Sequence, residues 1–215
     1  MRYERKYKLE NLQASIFEQA VRLHPAGFRS IYSPRWVNNL YFDTPDFSAF
    51  HDNAAGVSHR MKHRLRWYGR PFEVLENPLL ETKIKENLLG RKDIFPLPEG
   101  KYRVEKMDAL LEQVREHLGY GHELLPVLFN SYYRSYWATP DERFRITIDH
   151  QLQFGAYSNT SARLLPYQLP DVIMELKYEK EDESRSDFIL QHFPFRQTKS
   201  SKYVMGVEVC YGGGV

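Results

Sequence analysis

Apolar and charged residues alternate along several stretches of this chain, beginning with RYERKYKL at its N-terminus. There, Arg2, Glu4 and Lys6 occupy every second position, and Tyr3 and Tyr7 lie between them. Side chains two residues apart in a β-strand point to the same face of a sheet. The pattern therefore predicts a strand with one charged face and one largely apolar face.

Similar alternation, interrupted by turn signals, predicts further strands along the chain. The clearest turn signals are Asp43-Thr44-Pro45-Asp46 and Thr139-Pro140-Asp141. The complete set of predicted strands is Arg2–Leu9, Asn38–Phe42, Val57–Tyr68, Phe72–Lys85, Arg91–Phe95, Leu128–Ala138, Phe144–Phe154, Val172–Glu179 and Lys202–Val209.

A 3.6-residue apolar period predicts helices at Glu10–Leu23 and at Val104–Leu118, which Gly119 is expected to terminate. A short third helix is expected to start near Ser184 or Ser186 and to end before Pro194. Strands outnumber helices, and the helices are scattered among them. This order favours an α+β fold with a large antiparallel sheet or barrel.

The composition is that of a globular protein, with 42% hydrophobic and 27% charged residues in a chain of 215. No internal repeat or linker is visible, so we expect a single domain over residues 1–211 and a tail at 212–215. The chain has no apolar run of transmembrane length, and its N-terminus lacks an apolar signal core. The single cysteine, Cys210, fits a reducing compartment, and we expect a cytoplasmic protein.

Charged positions recur at every second residue on four later predicted strands. An antiparallel sheet with one solvated face alternates in this way, and this is the simpler interpretation of any one strand. Taken together, the charged faces are rich in arginine and poor in Ser, Asn and Gln, and the opposite faces need cover from helices. A closed barrel with helices outside and charges inside satisfies both requirements. The positions are Arg60, Lys62, Arg64, Arg66, Glu81, Lys83, Lys85, Arg143, Arg145, Asp149, Glu175, Lys177 and Glu179.

An interior of like charges repels itself unless an anion fills it. A linear polyanion such as a triphosphate or polyphosphate suits such an interior, because the arginine fork binds phosphate oxygens bidentately. The glutamates fit a divalent cation that bridges carboxylate and phosphate. The net charge of +2 excludes a protein that binds nucleic acid through bulk positive charge.

Other chemistries find little support in the sequence. It contains no G-x-x-x-x-G-K-[ST] motif, and Gly119-Tyr120-Gly121 lacks the remaining glycine of a dinucleotide fingerprint. His59 and His63 lie in a predicted strand without the glutamate of H-E-x-x-H, which argues against a zinc site. Cys210 is expected to be a small buried side chain rather than a nucleophile.

The sequence resembles the VTC-domain family of polyphosphate polymerases, within the triphosphate tunnel metalloenzyme superfamily that also contains the CYTH phosphohydrolases. Each motif of the resemblance is weak alone, but the ordered set spans nearly the whole chain. The motifs are RYERKY (Arg2–Tyr7), NNLYFDTPDF (Asn38–Phe47), HRLRWYG (His63–Gly69), ETKIK (Glu81–Lys85), YYRSYW (Tyr132–Trp137), RITID (Arg145–Asp149), MELKY (Met174–Tyr178) and SKYVMG (Ser201–Gly206).

The resemblance implies an eight-stranded tunnel in which the γ-phosphoryl group of ATP passes to a polyphosphate chain. It implies phosphate binding by Lys6, Arg64, Arg66, Lys83, Arg134, Arg145 and Lys202, with Lys199 at the tunnel mouth and Lys177 as a further contact; Lys85 shares their face. It implies that Glu175 binds Mn²⁺ or Mg²⁺, while Glu4 and Glu81 assist it or hold cations. Asp149 would orient an arginine, and Tyr41 and Tyr203 would belong to the barrel wall.

One position departs from the sister family. CYTH enzymes typically open with Glu-x-Glu-x-Lys, whereas this chain has Arg2, Glu4 and Lys6. The change removes one metal ligand, adds a phosphate-binding residue and favours the polymerase over a tunnel-fold triphosphate or polyphosphate phosphohydrolase. A third hypothesis is a non-catalytic barrel that binds polyphosphate or RNA. The aromatic residues alternate away from the cations, so no nucleic-acid partner is expected. Related polymerases can work beside membrane or regulatory proteins, which here another chain would supply.

Overall fold

The computed structural model describes residues 2–87, 89–104, 106–118, 124–157 and 166–212. These residues form a mixed α+β protein in which antiparallel strands dominate, in agreement with the predicted class. The strands are β1 (Arg2–Leu9), β2 (Arg29–Asp43), β3 (His59–Tyr68), β4 (Val74–Glu76), β5 (Leu79–Glu86), β6 (Leu89–Pro96), β7 (Lys101–Arg103), β8 (Leu125–Ala138), β9 (Arg145–Ala156), β10 (Tyr167–Leu169) and β11 (Val172–Glu179).

The helices lie between the strands and after them. They are α1 (Ala14–Arg22), α2 (Ser48–Ala55), α3 (Asp108–Leu118), α4 (Glu183–Leu190) and α5 (Lys202–Tyr211), and a 3₁₀ turn, Lys180–Asp182, precedes α4. The three predicted helices correspond to α1, α3 and α4. Gly119, the predicted stop of α3, and the predicted tail beyond Gly212 lie outside the described residues. None of the described helices is long and apolar enough to cross a membrane.

Helix α2 was not predicted from the sequence pattern, because it buries only Phe50 and has little amphipathic character. Its N-terminal amides are bound by the preceding turn: Asp43 Oδ1 accepts from the amide of Ala49 at 2.9 Å, and Oδ2 accepts from the amide of Phe50 at 3.0 Å. A carboxylate at a helix N-terminus satisfies amides that have no partner within the helix. The Asp43 turn therefore initiates α2.

The prediction of a strand at Lys202–Val209 is wrong, because this segment forms α5. Its valines favoured a strand, but tertiary contacts favour the helix. A Cβ on Gly206 would lie 2.5 Å from Leu128 Cδ2 and 2.5 Å from Phe154 Cδ1, so the helix packs closely on β8 and β9. Tyr203, on the same helix, is buried and donates a hydrogen bond to Asp43.

The chain divides into two compact units, and the division falls within β2, β8, β9 and β10. Unit 1 comprises residues 1–35, 133–152 and 169–200, and unit 2 comprises residues 36–132, 153–168 and 201–215. The prediction of a single domain over residues 1–211 stays a prediction.

Unit 1 contains the antiparallel order β9-β11-β1. The apolar sides of these strands supply Ile146, Ile148, Met174, Leu176 and Tyr7 to one core, which α1 and α4 cover with their buried apolar side chains. The opposite sides carry the charged residues, as the alternation predicted.

Unit 2 contains the antiparallel order β6-β5-β3-β2, and β2 also neighbours β8. Leu40, Leu65, Trp67 and Leu80 form its core with the buried face of α3. The predicted strand Phe72–Lys85 is two strands, β4 and β5. Asn77 separates them with a left-handed backbone (φ 44°), and its side chain accepts from the amide of Gly100 at 3.0 Å.

Candidate functional site

The charged face of unit 2 is built by β3, β5 and β6, whose register places like charges opposite one another. Lys62 lies opposite Lys83, which in turn lies opposite Lys92, and Arg60 lies opposite Lys85. Like charges directly across an antiparallel pair are destabilising. Among the described residues of this face, Glu81 is the acid, and the cations are Arg60, Lys62, Arg64, Arg66, Lys83, Lys85 and Lys92.

Glu81 is the centre of a buried ion-pair cluster. Its side chain is 2% exposed, and Oε2 accepts from Arg64 Nε at 2.9 Å and Nη2 at 2.8 Å. Lys92 Nζ reaches Oε1 at 2.8 Å, and Arg66 Nη1 lies 3.6 Å from Oε2. Burial opposes ionisation of Glu81, but the charges of Arg66, Arg64 and Lys92 outweigh it and lower its pKa to about 2. With both oxygens engaged, Glu81 orients cations in the described geometry.

Arg66 is held by a buried polar network. Its Nε donates to Asn39 Oδ1 at 3.0 Å, and its Nη2 donates to Tyr132 Oη at 3.2 Å. Asn39 Nδ2 in turn donates to Asn130 Oδ1 at 3.1 Å. Buried polar groups that satisfy one another fix side-chain positions. The network therefore holds the Arg66 guanidinium in one orientation on the charged face.

The N-terminus of α5 and the residue before it, Ser201, add two polar groups in unit 2. Lys62 Nζ donates to Ser201 Oγ at 3.2 Å, and Lys202 Nζ lies 4.9 Å from the centroid of the Tyr132 ring. Lys202 thus lies on a helix rather than on the predicted strand. Burial and the neighbouring Asp43 carboxylate raise the pKa of Tyr203, so its hydroxyl stays protonated and donates to Asp43. Tyr203 anchors the helix that begins at Lys202, directly after Ser201.

Tyr41 lies on β2, where its hydroxyl accepts from Arg64 Nη1 at 3.2 Å. Its ring centroid is 5.0 Å from that of Tyr203. Both rings are buried, and Tyr41 contacts the candidate phosphate-binding arginine directly. Lys83 and Lys85, both predicted site residues, lie half-buried on the same face of β5.

The charged face of unit 1 is built by β1, β11 and β9. The β11–β9 register places Lys177 opposite Arg145, whereas the β1–β11 register pairs opposite charges. Arg2 lies opposite Glu179, Glu4 lies opposite Lys177, and Lys6 lies opposite Glu175. Such cross-strand pairs stabilise a sheet. The Arg2 pair is exposed, with Nε 2.6 Å from Glu179 Oε1.

Glu175 is buried and lies between two lysines. Lys177 Nζ is 3.0 Å from its Oε2, and Lys6 Nζ is 3.6 Å from its Oε1. Lys6 Nζ also donates to the Ser200 carbonyl oxygen at 2.7 Å. The lysine ammonium groups are compact charges on flexible stems, unlike the rigid arginine fork on Glu81.

The carboxylates of unit 1 fit a hard divalent cation in donor type. The register places Glu4 diagonally across from Glu175 on the same face, a spacing at which long side chains can share a ligand. Oxygen donors from one or two carboxylates, completed by substrate phosphates and water, are what Mg²⁺ takes in phosphate-handling sites. Three His, Cys, Asp or Glu residues gathered around one position are not found in the part of the chain that the structure describes.

Arg134 is fixed by a buried bidentate pair with Asp149, at 2.5 Å from Nε to Oδ1 and 2.7 Å from Nη2 to Oδ2. Asp149 therefore orients an arginine, as the sequence suggested, and that arginine is Arg134. Arg145 is exposed at the start of β9 and pairs with Glu142 at 3.1 Å. Lys199 is exposed in the segment before α5.

Sequence reasoning missed several residues that contact the candidate site. Lys92 belonged to a predicted strand, but only the β5–β6 register reveals that it meets Lys83 and Glu81. Asn39 carried a usable signal, since Asn38-Asn39 lies between the apolar stretches Trp36-Val37 and Leu40-Tyr41-Phe42. The aromatic ring of Tyr132 gave no indication that its hydroxyl accepts from Arg66.

Structure comparison identifies the fold class of this chain. A Vibrio parahaemolyticus protein provisionally described as an adenylate cyclase matches with a TM-score of 0.53 and 14% identity, over 94% of this chain and 97% of the other. A Hippeastrum protein provisionally described as an adenylyl cyclase, for which a dominant triphosphatase activity is described, matches with a TM-score of 0.51 and 14% identity, over 98% and 97%. A Bacillus halodurans protein of similar description matches with a TM-score of 0.50 and 15% identity, over 94% of each chain. The chain shares the fold of these proteins.

Family comparison is more specific. The model of the VTC domain matches residues 2–211, so this chain belongs to the VTC domain family. A search of curated proteins gave no match. The family that the ordered motifs indicated is confirmed.

Proposed function

We propose that this protein is a polyphosphate polymerase that transfers the γ-phosphoryl group of ATP to the end of an inorganic polyphosphate chain. The transfer takes place in a basic tunnel enclosed by a closed eight-stranded antiparallel barrel. Membership of the VTC domain family supports this proposal. The observation that carries it is the register that places Lys83 between Lys62 on one neighbouring strand and Lys92 on the other, because a bound polyanion offsets the excess positive charge of this face.

The residues act by positioning and by neutralising charge, which are the main contributions to phosphoryl-transfer catalysis. Arg64 and Arg66 present guanidinium groups that Glu81, Asn39 and Tyr132 hold in place. Fixed donors need little reorganisation when negative charge develops on the transferred phosphoryl group. The acceptor phosphate is already anionic near neutral pH, so the reaction does not depend on a dedicated general base.

The proposed cofactor is Mn²⁺ or Mg²⁺, held mainly by Glu175 with Glu4 beside it. When bound, the ion supplies Lewis-acid polarisation of the phosphate oxygens. Glu175 and Glu4 contribute the oxygen donors, and Lys6 and Lys177 hold phosphates beside them. A cytoplasmic location and an accompanying membrane or regulatory protein stay predictions.

Incubation of the purified protein with ATP and Mn²⁺, with and without a short polyphosphate primer, tests the proposal. Longer phosphate chains together with matching ADP are the expected result. Free phosphate without chain growth would identify a phosphohydrolase instead. Absence of turnover, with polyphosphate binding that weakens steeply with salt, would identify a non-catalytic binding protein.

A further inference from the structure

An aromatic and cationic cluster lies in unit 1, where β2 and β8 meet. Tyr32 packs edge-on against Tyr136, with ring centroids 5.7 Å apart and an interplanar angle of 88°. Arg35 lies over the Tyr136 ring, with Cζ 5.2 Å from its centroid, and its Nε donates to Tyr136 Oη at 3.2 Å. Tyr32 is 57% exposed, so the cluster presents an aromatic surface to solvent.

The cluster belongs to the charged face of unit 1 rather than to its apolar side. Trp137 is buried in the core of this unit, and successive side chains of a strand point in opposite directions. Tyr136 therefore points to the same face as Arg134, two residues earlier on β8. Two residues of an extended strand span roughly 6.8 Å, so the Tyr136 ring lies close to the fixed side chain of Arg134 on the same face.

The side chains of the cluster are those that stack on nucleobases. Aromatic rings and guanidinium planes bind the π-face of a base, and stacking on one aromatic side chain is worth about 1–3 kcal/mol. The hydrogen bond from Arg35 to Tyr136 fixes the geometry before any ligand binds, which reduces the cost of ordering. The two aromatic rings match a single base better than the successive bases of a strand.

We propose that Tyr32, Tyr136 and Arg35 form a stacking site for the base of a nucleoside triphosphate, whose phosphates lie beside Arg134. The inference rests on the proposed function, since it requires that phosphates bind to this face. The stacking site would let the protein distinguish a nucleotide substrate from inorganic polyphosphate, because the polymer has no base. Stacking does not read the edges of a base, so discrimination between ATP and GTP is expected to be weak.

Calorimetric titration of the full chain with ATP and with inorganic tripolyphosphate, both in Mn²⁺ buffer, tests this site. Tyr32→Ala is expected to weaken ATP binding about 5- to 150-fold and to leave tripolyphosphate binding within about twofold. Tyr32→Phe keeps the ring and is expected to restore most of the lost ATP affinity. Tyr167→Ala, at a tyrosine of similar exposure (54%), is the matched control and should alter neither affinity.

The outcomes separate this inference from the proposed function. An ATP affinity that Tyr32→Ala leaves unchanged, while tripolyphosphate still binds, would overturn the stacking site alone. Failure of the unaltered protein to bind tripolyphosphate would overturn the proposed function and the stacking site together. Tighter Tyr32-dependent binding of single-stranded oligoadenylate than of ATP would replace the nucleotide site with a nucleic-acid surface.

Discussion

The β1–β11 pair of unit 1 and the β3–β5–β6 strands of unit 2 both alternate charged with apolar residues, yet they arrange their charges differently. Across the β1–β11 ladder of unit 1, Arg2, Glu4 and Lys6 each meet a residue of opposite charge, as Lys6 meets Glu175, although Lys177 also lies opposite Arg145 on β9. In unit 2 lysine meets lysine, as Lys62 meets Lys83. Equal alternation in sequence therefore gives a charge-matched β1–β11 ladder in one unit and a face with excess positive charge in the other.

The difference extends to the two buried glutamates. Arg64 and Lys92 occupy both oxygens of Glu81 at 2.8 Å, whereas the lysines around Glu175 lie at 3.0 and 3.6 Å. We infer that Glu81 is a structural anchor for phosphate-binding cations and that Glu175 is the metal ligand. Replacing Glu81 should therefore change mainly the stability of the protein, and replacing Glu175 should change mainly its rate of turnover.

The largest expected effect is that of Glu175→Gln on turnover. Loss of the main metal ligand removes Lewis-acid stabilisation of several kcal/mol, so the ATP-dependent rate should fall by at least about 100-fold. Steady-state kinetics over a range of Mn²⁺ concentrations measure the effect. A variant that retains its Mn²⁺-dependent rate would contradict the assignment of Glu175.

Glu81→Gln should act mainly on stability. Removing one partner of a buried ion pair leaves uncompensated cations, and we expect the free energy of unfolding at pH 7 to fall by about 3 kcal/mol. Urea denaturation measures the change, with Glu175→Gln as the comparison. The distinction between the glutamates fails if the two variants lose equal stability.

The low pKa of Glu81 predicts how that stability depends on pH. Its carboxyl has a pKa of about 2 when folded, against an ordinary 4.5, so its contribution is complete above about pH 4.5. The contribution is lost as pH falls from about 4.5 towards 2. The stability difference between the unaltered protein and Glu81→Gln should shrink over this window, and a difference that is constant with pH would contradict the ion-pair account.

Gly206→Ala tests the close packing of α5 on β8 and β9 within unit 2. The added Cβ would lie 2.5 Å from Leu128 and Phe154, and overpacking of this kind costs about 1–3 kcal/mol of unfolding free energy. Gly90→Ala is the control, because its Cβ would meet only the Ile84 carbonyl oxygen at 3.7 Å. Equal stability of the two variants would show that α5 does not depend on this close contact.

Arg2→Ala should have the smallest effect on stability. Arg2 pairs with Glu179 at the surface, and exposed ion pairs contribute little, so we expect a change below about 0.5 kcal/mol. If Arg2 binds phosphate, the variant binds polyphosphate more weakly. The slope of the logarithm of its binding constant against the logarithm of salt concentration is then smaller by roughly 0.7. An unchanged salt slope would show that Arg2 does not bind phosphate and only pairs with Glu179 across the sheet.

Period-two alternation located the strands well because the apolar side of each strand must be buried. Arg2–Leu9 and Val172–Glu179 have the predicted bounds, and their charged faces follow directly from sequence. The same rule failed at Lys202–Val209, where the valines belong to a helix. That helix depends on Asp43, which lies 160 positions from Tyr203 in the sequence and cannot be read from local pattern.

The chemistry of the candidate site was predicted in part. Alternation indicated which cations share a face, but register decides which of them meet, and register depends on partner strands. Lys92 opposite Lys83 shows this, since neither segment specifies the other. The charge-matched ladder of unit 1 and the excess charge of unit 2 likewise become visible only when the strands pair.

The most direct test of the central claim follows the γ-phosphate of ATP. The protein is incubated with γ-³²P-labelled ATP, Mn²⁺ and a short unlabelled polyphosphate primer, and the products are separated by chain length while ADP is quantified. The account predicts label in chains longer than the primer, in amounts equal to the ADP formed. The Glu175→Gln variant should not incorporate label into chains. Label recovered as orthophosphate, with primer of unchanged length, would contradict it.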